Sequence, residues 1–430
     1  MHNKQAKTDA NRIEKEFLIM TEAEKKFEER KLRVETAVAN KQPDRVPNVL
    51  RIGSFPVFQA GISPARAMWD FEGVNKAMLD FYAGTDSLDI AAGSGTSQAS
   101  KVLENLDVKT ARWPGDPKGL PEDNTYQFVE FPTLLEDEYD ELFDHPAEFF
   151  FTKHMPRTLG IAEPLADIDW FAMVTRGGSG WLTSPDKIPV YEKLLEACQE
   201  NVRKNKASAE FNKAIEALGY YNMNGGGSAT AFDMLGDTLR GTFGMMPDMI
   251  LQRDNVVKAL ERFCELHIQS TVGMCKAAGW KYGWVMLHKG FDNFISDEDY
   301  AELYWPYLQK WILALIDNGI TPVVYTEGSY NTRLKYLKDV PTGKVVYHFE
   351  EVDLALAKKE LGDVACIQGG FPAYVVNYGT PAQIDEEVKK TLDIMAPGGG
   401  YLFTTGYSLG NCPKENIEAV LEAMDKYGKY

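Results

Sequence analysis

The chain has 430 residues, of which 44% are apolar and 12% aromatic, and its formal net charge is −17 at pH 7. Such an acidic chain argues against nucleic acid as a partner, because phosphate groups need a basic surface. Five scattered cysteines without a CxxC pair exclude a disulfide framework and a zinc site of thiolates alone. Since no apolar run reaches membrane-spanning length and the first residues do not resemble a signal sequence, we expect a soluble, cytoplasmic protein without a membrane partner.

The amino-terminal part of the sequence predicts an extension before the main domain. A helix is predicted over Thr21–Asn40, because Thr21 is a suitable N-cap and Glu24 follows three positions later. The breaker sequence KQPDRVP ends this helix, so residues 1–45 form the predicted helical extension. Further along, residues 101–187 show no steady alternation and contain Pro- and Gly-rich turns, which indicates an insertion on one face of the core.

The rest of the chain alternates short apolar runs with amphipathic helical stretches. The predicted strands are Val46–Ile52, Gly84–Ala92, Tyr220–Met223, Trp284–Leu287, 322–326, 344–347, Val364–Ile367 and Tyr401–Thr404. The predicted helices are Val190–Leu218, Pro247–Gly279, Asp297–Asn318, Leu354–Leu361, Pro381–Met395 and Pro413–Tyr427. Eight strands in βα alternation predict an α/β fold, a TIM (β/α)8 barrel over residues 46–430, with an open doubly wound sheet as the alternative.

Three polar residues follow predicted strands and are candidates for chemistry. The carboxyl ends of barrel strands face the active-site mouth, and Glu327, His348 and His288 each stand at such an end. Carboxylate oxygen and imidazole nitrogen suit a divalent metal such as zinc that keeps one position open for substrate. The alternatives are a metal-free acid–base or structural pair for Glu327 and His348, and a satisfied core histidine for His288.

Two glycine-containing turns are candidates for binding a cofactor. The run NGGG begins with Asn224 and Gly225, and a second glycine pair follows Gln368. Glycine lets the backbone approach a ligand closely, and exposed amides can bind an anion. Neither turn has the spacing of a Walker or dinucleotide-binding loop, so tight turns at the barrel rim are the alternative.

Four aromatic residues near the predicted strand ends could form a substrate pocket. They are Phe58, Tyr325, Phe371 and Tyr407. Together they would suit a flat apolar ligand. The alternative is that they belong to the hydrophobic core, which is the commoner place for such residues.

Several stretches, taken in order, resemble the uroporphyrinogen decarboxylase superfamily from about Lys31 to the carboxyl terminus. KLRVETAVANKQPDRVP is similar to the opening helix and strand of that family, and FISDEDYAELYWPYLQKWI to a later helix. IQGGF stands where the family has a QGN turn, and GNCPKENIEAVLEAM resembles its closing helix. The resemblance implies a TIM barrel.

The sequence differs from both branches of that superfamily. The decarboxylase branch binds substrate propionates through an Arg-rich stretch, of which LRIGSFPVFQAGISP keeps only Arg51. The other branch comprises zinc-dependent methyltransferases that act with corrinoid proteins and bind zinc through an HxC motif and a late cysteine. Here the motif reads YTEG, so Glu327 stands where a thiolate would be, and the late position falls near Gly406.

The resemblance implies a zinc site made of Glu327, His348 and His288. Such a site leaves a more electrophilic metal than two thiolates do, and that metal is suited to polarising an ether oxygen. We therefore expect a methyltransferase of an anaerobic O-demethylase system, which moves a methyl group from a methoxylated aromatic compound to the cob(I)alamin of a corrinoid protein.

The expected partners are that corrinoid protein and the small aromatic substrate, and a homodimer is left open. One alternative is a methylcorrinoid-to-thiol or amine-type methyltransferase of the same superfamily. The other is a metal-free lyase that resembles the decarboxylase and uses Glu327 and His348 as acid and base.

Overall fold

The structure is a computed structural model that describes residues 20–91 and 98–430. Residues 1–19 of the predicted extension lie outside these ranges, and so does Ala92, the last residue of the predicted strand Gly84–Ala92. Six parallel strands form the central sheet, each paired with the next along the chain, and the insertion adds one small antiparallel pair. In chain order the strands are β1 Ala111–Arg112, β2 Gln127–Phe128, β3 Gly225–Ala229, β4 Tyr282–Leu287, β5 Thr321–Ser329, β6 Val346–Glu351, β7 Cys366–Gly369 and β8 Tyr401–Leu402.

Two short segments before β3 close this sheet into a barrel. Asn48 forms a parallel bridge with Phe403, just after β8, and Ile90 forms one with Tyr221, just before β3. The two segments meet each other where the Asp89 amide donates to the Asn48 carbonyl over 2.8 Å. Eight segments therefore surround one axis, and the prediction of a TIM barrel is confirmed.

The helices pack mainly around this barrel. Those before β3 are Glu22–Val38, Phe55–Gln59, Pro64–Ala67, Phe71–Ala83, Ser100–Leu106, Tyr139–Asp144, Pro146–Phe149, Met155–Thr158, Trp170–Arg176, Ser179–Leu182 and Ile188–Ala217. Those after β3 are Ala231–Asp233, Thr242–Leu251, Arg253–Ala278, Asp297–Asp299, Trp305–Asp317, Leu334–Leu337, Leu354–Leu361, Ala373–Tyr378, Pro381–Met395 and Lys414–Tyr427. Single π-helical turns lie at Phe150–His154, Met234–Leu239 and Tyr300–Tyr304, and 3-10 turns at Gly160–Leu165 and Pro185–Lys187.

Most predicted helices agree with the structure within two or three residues at each end. Thr21 caps the first helix and forms the predicted capping box with Glu24. The prediction of one continuous helix over Pro247–Gly279 is wrong. Gln252 leaves the helical conformation and separates the helices Thr242–Leu251 and Arg253–Ala278.

Side chains inside the barrel lie in layers. Val323, Val346 and Cys366 are register partners and form a buried apolar layer, which clusters with Tyr282 and Leu402. Because side chains alternate along a strand, the residues between these positions point outward and pack against the helices. The next inward layer toward the carboxyl ends of the strands is polar, and it forms the floor of the candidate site.

None of the helices in the described part of the chain combines the length and apolarity needed to cross a membrane. All five cysteines are free thiols, and four of them are buried.

Candidate active site

The floor of the barrel mouth is formed by one polar residue from each of three neighbouring strands. Tyr325 of β5, His348 of β6 and Gln368 of β7 are register partners, so their side chains lie at one level. All three are buried. The prediction that a strand ends at His348 is wrong, because β6 continues to Glu351. His348 therefore lies one layer below the rim.

The imidazole of His348 is neutral and has one nitrogen without a partner. Its Nε2 lies 3.2 Å from the Thr405 carbonyl oxygen, which can only accept, so Nε2 carries the proton. Burial, together with the nearby Arg51 guanidinium, lowers the pKa of His348 to about 3. Nδ1 is buried and makes no hydrogen bond. A free lone pair on an oriented, neutral imidazole suits a metal ion or a hydrogen-bond donor.

His288, immediately after β4, is in the opposite protonation state. Its Nδ1 lies 2.5 Å from Asp237 Oδ2. This hydrogen bond is the largest cause that raises the pKa of His288 to about 9, although partial burial opposes the shift. Asp237 is in turn 2.8 Å from the Lys289 ammonium. No other polar side chain of the described residues hydrogen-bonds the second nitrogen of His288, Nε2, at the mouth.

A buried carboxylate fixes the turn that carries His288. Asp233 is fully buried, and its side chain accepts from the backbone amides of His288 over 3.2 Å and Lys289 over 2.9 Å. It also accepts from the Tyr304 hydroxyl over 2.7 Å and from Thr230 over 2.8 Å. Burial, and then the charge of nearby Asp237, raise the pKa of Asp233.

The insertion also reaches this network. Glu130 lies 3.0 Å from the Lys289 ammonium and accepts from the Thr242 hydroxyl over 3.1 Å. Sequence reasoning missed Glu130, Asp233, Asp237 and Lys289. The available signal was the N-cap spacing of Thr230 and Asp233 directly after β3, which anchors a helix at the carboxyl end of a strand.

Glu327 lies at the rim of the mouth, near the charges of His288 and Glu350. Its side chain is half-buried and makes no hydrogen bond to any described residue. Burial is the main cause that raises its pKa; the charge of His288 opposes the shift and that of Glu350 adds to it. Glu350 itself accepts from the Gly328 amide over 2.6 Å.

Individually, the three predicted zinc ligands have donor atoms that fit a metal. Each histidine has one ring nitrogen held by a protein oxygen and the other nitrogen free, as metal-binding histidines do. Glu327 offers an unpaired carboxylate. Across the ranges 20–91 and 98–430, however, three or more histidine, cysteine, aspartate or glutamate side chains do not gather around one point.

The first of the two predicted cofactor-binding turns, Asn224–Gly225, lies at the opposite end of the barrel. β3 begins at Gly225, which pairs with Tyr282, so Asn224 stands at the amino end of the strand. The prediction that these two residues lie at the mouth is therefore wrong. Glycine is needed here for packing, because a Cβ on Gly225 would lie 2.6 Å from the Trp284 indole. Gln368 does reach the floor of the mouth, where its Oε1 is buried without a partner.

The four predicted pocket aromatics do not form one pocket. Tyr325 contacts the His348 ring at 4.7 Å and lies 5.0 Å from the Arg51 guanidinium. Tyr407 lines the groove described next, and Phe58 lines a separate cavity of about 150 Å³ near the insertion. Phe371 is fully buried against Phe403, so its placement in a pocket is wrong and the core interpretation applies.

A groove of about 710 Å³ opens beside the mouth, between the ends of β6 and β7 and the helix Pro381–Met395. Its acidic side chains are Glu350, Glu351, Asp353 and Glu387. Among the described residues that line it, Lys390 is the only basic one, and it is 3.0 Å from Glu387. Gly328, the neighbour of Glu327, joins the groove to the mouth.

Comparisons with known proteins match part of this barrel to a family. The sequence model of the family "Uroporphyrinogen decarboxylase (URO-D)" matches residues 221–427. Curated relatives include the uroporphyrinogen decarboxylases of Chlorobium phaeobacteroides, 29% identical over 143 residues, and Sodalis glossinidius, 30% identical over 131 residues. These matches cover 32% and 29% of this chain, and 40% and 36% of the relatives, so the chain spans about two fifths of their length.

A solved structure matches over nearly the whole chain. It is a methyltransferase from Methanosarcina mazei, with a TM-score of 0.58 and 15% sequence identity, and the match covers 93% of this chain and 98% of the other. At this identity the likeness establishes the fold. The match to the uroporphyrinogen decarboxylase family model therefore covers all six strands of the barrel sheet, which lie within residues 221–427.

Proposed function

We propose that this chain is a zinc-dependent methyltransferase that moves a methyl group from a methoxylated aromatic compound to the cob(I)alamin of a corrinoid protein. The observation that carries the proposal is the state of the two histidines at the mouth. His288 is oriented by Asp237 and His348 by the Thr405 carbonyl, and each keeps one nitrogen free of protein partners. Beside them stands Glu327, which is half-buried and unpaired.

In this proposal, Glu327 and His288 would hold zinc at the rim, and His348 would offer Nδ1 from the layer below. When bound, zinc would supply a Lewis acid for the ether oxygen, and the corrinoid would supply the methyl acceptor. The protein itself orients the two imidazoles, and the Tyr325 ring forms part of the floor of the mouth. It needs no nucleophilic side chain, because the acceptor arrives on the partner.

The charge of the mouth favours this function over the decarboxylase-like lyase. Glu327, Glu350, Glu351 and Asp353 all lie at the mouth or along the adjoining groove. A substrate that carries many carboxylates would be repelled by these side chains. The basic side chains of this region are already engaged. Lys390 pairs with Glu387 and Lys289 with Asp237, and the Arg51 guanidinium lies over the Tyr325 ring.

The proposal is tested with the variants Glu327→Gln and His348→Ala. We expect the wild-type protein to contain about one zinc per chain and to methylate cob(I)alamin, which elemental analysis and visible absorbance measure. Each variant should lose zinc and methyl transfer while keeping its far-ultraviolet circular dichroism. His145→Asn is the control, because His145 is exposed and lies between two helices of the insertion, outside the strands that form the mouth.

Full zinc content and full methyl transfer in both folded variants would rule the proposal out. Loss in Glu327→Gln alone would assign the site to the rim, with His288 as its nitrogen ligand. A metal-free wild type that releases carbon dioxide from a carboxylated substrate would establish the lyase instead.

A further inference from the structure

The groove beside the mouth has a lining that points to a charged organic ligand. Two of its carboxylates, those of Glu351 and Asp353, form no ion pair with any described residue, whereas Glu387 is neutralised by Lys390. Glu350 uses one oxygen to accept from the Gly328 amide. The groove therefore carries an excess of negative charge at the point where it meets the barrel mouth.

Two tyrosines complete the lining on the side of the β7 and β8 ends. The side chains of Tyr374 and Tyr407 are 64% and 40% exposed, so their rings are available to a ligand. The face of a tyrosine ring attracts a cation, particularly an organic ammonium. Rings and carboxylates together therefore favour an ammonium group over a hydrated metal ion, which would use the carboxylates alone.

A buried hydroxyl group gives an independent indication of a ligand. Thr391, on the helix Pro381–Met395, lines the groove and is 1% exposed, yet its Oγ1 has no hydrogen-bond partner. Buried polar atoms are nearly always paired, and an unpaired one marks a place where a donor or acceptor is missing. The N–H of an ammonium group would satisfy this oxygen.

We infer that the groove binds the ammonium group of a cationic methyl donor, so that the substrate class is methoxylated aromatic amines. This inference rests on the proposed function and names its substrate more narrowly. Gly328 links the groove to Glu327, so a ligand whose ammonium lies between Glu351 and Asp353 can extend its aromatic ring toward the mouth.

The test compares three ligands that share one ring and differ in charge: methoxyphenyl-ethylamine, methoxyphenyl-ethanol and methoxyphenyl-acetate. Calorimetry on the purified full chain, without a corrinoid partner, measures binding directly. We expect the amine to bind at least about tenfold more tightly than the alcohol, and the acetate to bind most weakly. In a partly exposed site, each carboxylate near the ammonium group should increase the affinity by a few-fold. The preference should shrink as salt is added.

The double variant Glu351→Gln/Asp353→Asn should reduce amine binding about tenfold and leave the alcohol unchanged. Asp353 caps the helix Leu354–Leu361 by accepting from the Leu356 amide, and asparagine caps equally well, so the variant should fold. Glu386→Gln removes one exposed carboxylate from the same wall helix outside the groove and serves as the control.

Equal affinity for amine and alcohol, or unchanged amine binding in the double variant, would overturn the inference. The inference would also be overturned if magnesium competed with the amine at matched ionic strength and an amine without a ring bound equally well. The groove would then be assigned to metal cations. Methyl transfer from the neutral alcohol would then still support the proposed function. Conversely, if the wild type bound the amine but did not transfer its methyl group to cob(I)alamin, the proposed function would be ruled out and the inference about the groove would stand.

Discussion

The two histidines of the mouth differ in protonation because their surroundings differ. His288 faces the carboxylate of Asp237, which raises its pKa to about 9, so it is cationic at neutral pH. His348 is fully buried near the Arg51 guanidinium, which lowers its pKa to about 3, and its neutral carbonyl partner does not offset this shift. The mouth thus holds one neutral acceptor and one cationic donor at different depths, and a metal ion at the rim would displace a proton from His288.

At the same scale, Asp237→Ala should weaken zinc binding about 10- to 100-fold, because removing the carboxylate behind a metal-binding histidine releases its orientation. Competition with a chromophoric chelator measures this affinity. Asp237→Asn keeps an oxygen acceptor for His288 and should therefore lose less zinc affinity than Asp237→Ala. Asp317→Ala, which removes an exposed carboxylate elsewhere, serves as the control. An unchanged affinity in Asp237→Ala would show that His288 is not a ligand.

The sequence predicted the candidate ligands better than it predicted their surroundings. Glu327 and His288 are at the mouth because polar residues that end apolar runs lie at the carboxyl ends of barrel strands. Asp237 and Lys289 were missed, since their contacts join a π-helical turn after β3 to the turn after β4, and no local pattern encodes that meeting. Such partners depend on the complete fold.

At the scale of elements, β3 shows how packing overrides propensity. Glycine is a poor strand former, so the sequence predicts a loop at NGGG and places the strand at Tyr220–Met223, five residues before the observed start of β3. In the structure these glycines pair with β4, because their neighbours leave no room for a side chain. The helices were predicted more closely, since their caps and apolar faces are local in sequence.

Gly227→Ala should therefore destabilise the barrel by about 2 kcal/mol or more, because the added methyl group would overlap the backbone of Trp284. Urea unfolding measures this change. Gly273→Ala is the matched control: Gly273 lies in the helix Arg253–Ala278 with open space around it, and alanine there should add about 0.5–1 kcal/mol of stability. Equal effects of the two substitutions would contradict the packing argument.

At the scale of the whole molecule, side chains join the two segments that close the barrel to each other. We call this junction the seam, because only isolated bridges connect these segments to the six-stranded sheet. Asp89 is fully buried and accepts from the Asn48 amide over 2.7 Å. It also pairs with Arg33 of the first helix over 2.6 Å and with Arg45 over 2.8 Å. One carboxylate thus joins the amino-terminal helix to both segments that complete the barrel.

Asp89→Ala should cost about 3–5 kcal/mol of unfolding free energy, because two guanidinium groups would lose a buried partner. Asp44→Ala is the matched control, since Asp44 pairs with the same Arg33 but is mostly exposed, and its loss should cost at most about 1 kcal/mol. Denaturant unfolding compares the two variants. A cost for Asp89→Ala no greater than that for Asp44→Ala would mean that the seam does not depend on this carboxylate.

The same seam bears on how barrels of this kind can diverge. Every peptide unit carries the groups of a backbone ladder, so the six paired strands place few demands on particular side chains for their pairing. The closing segments are joined by isolated bridges and by side chains of specific shape and charge. A lineage can therefore rebuild its first two strands and the adjoining insertion around a different set of partners while the other six strands stay in register. In this chain the family match begins at residue 221, just before β3, so it covers the whole of that ladder.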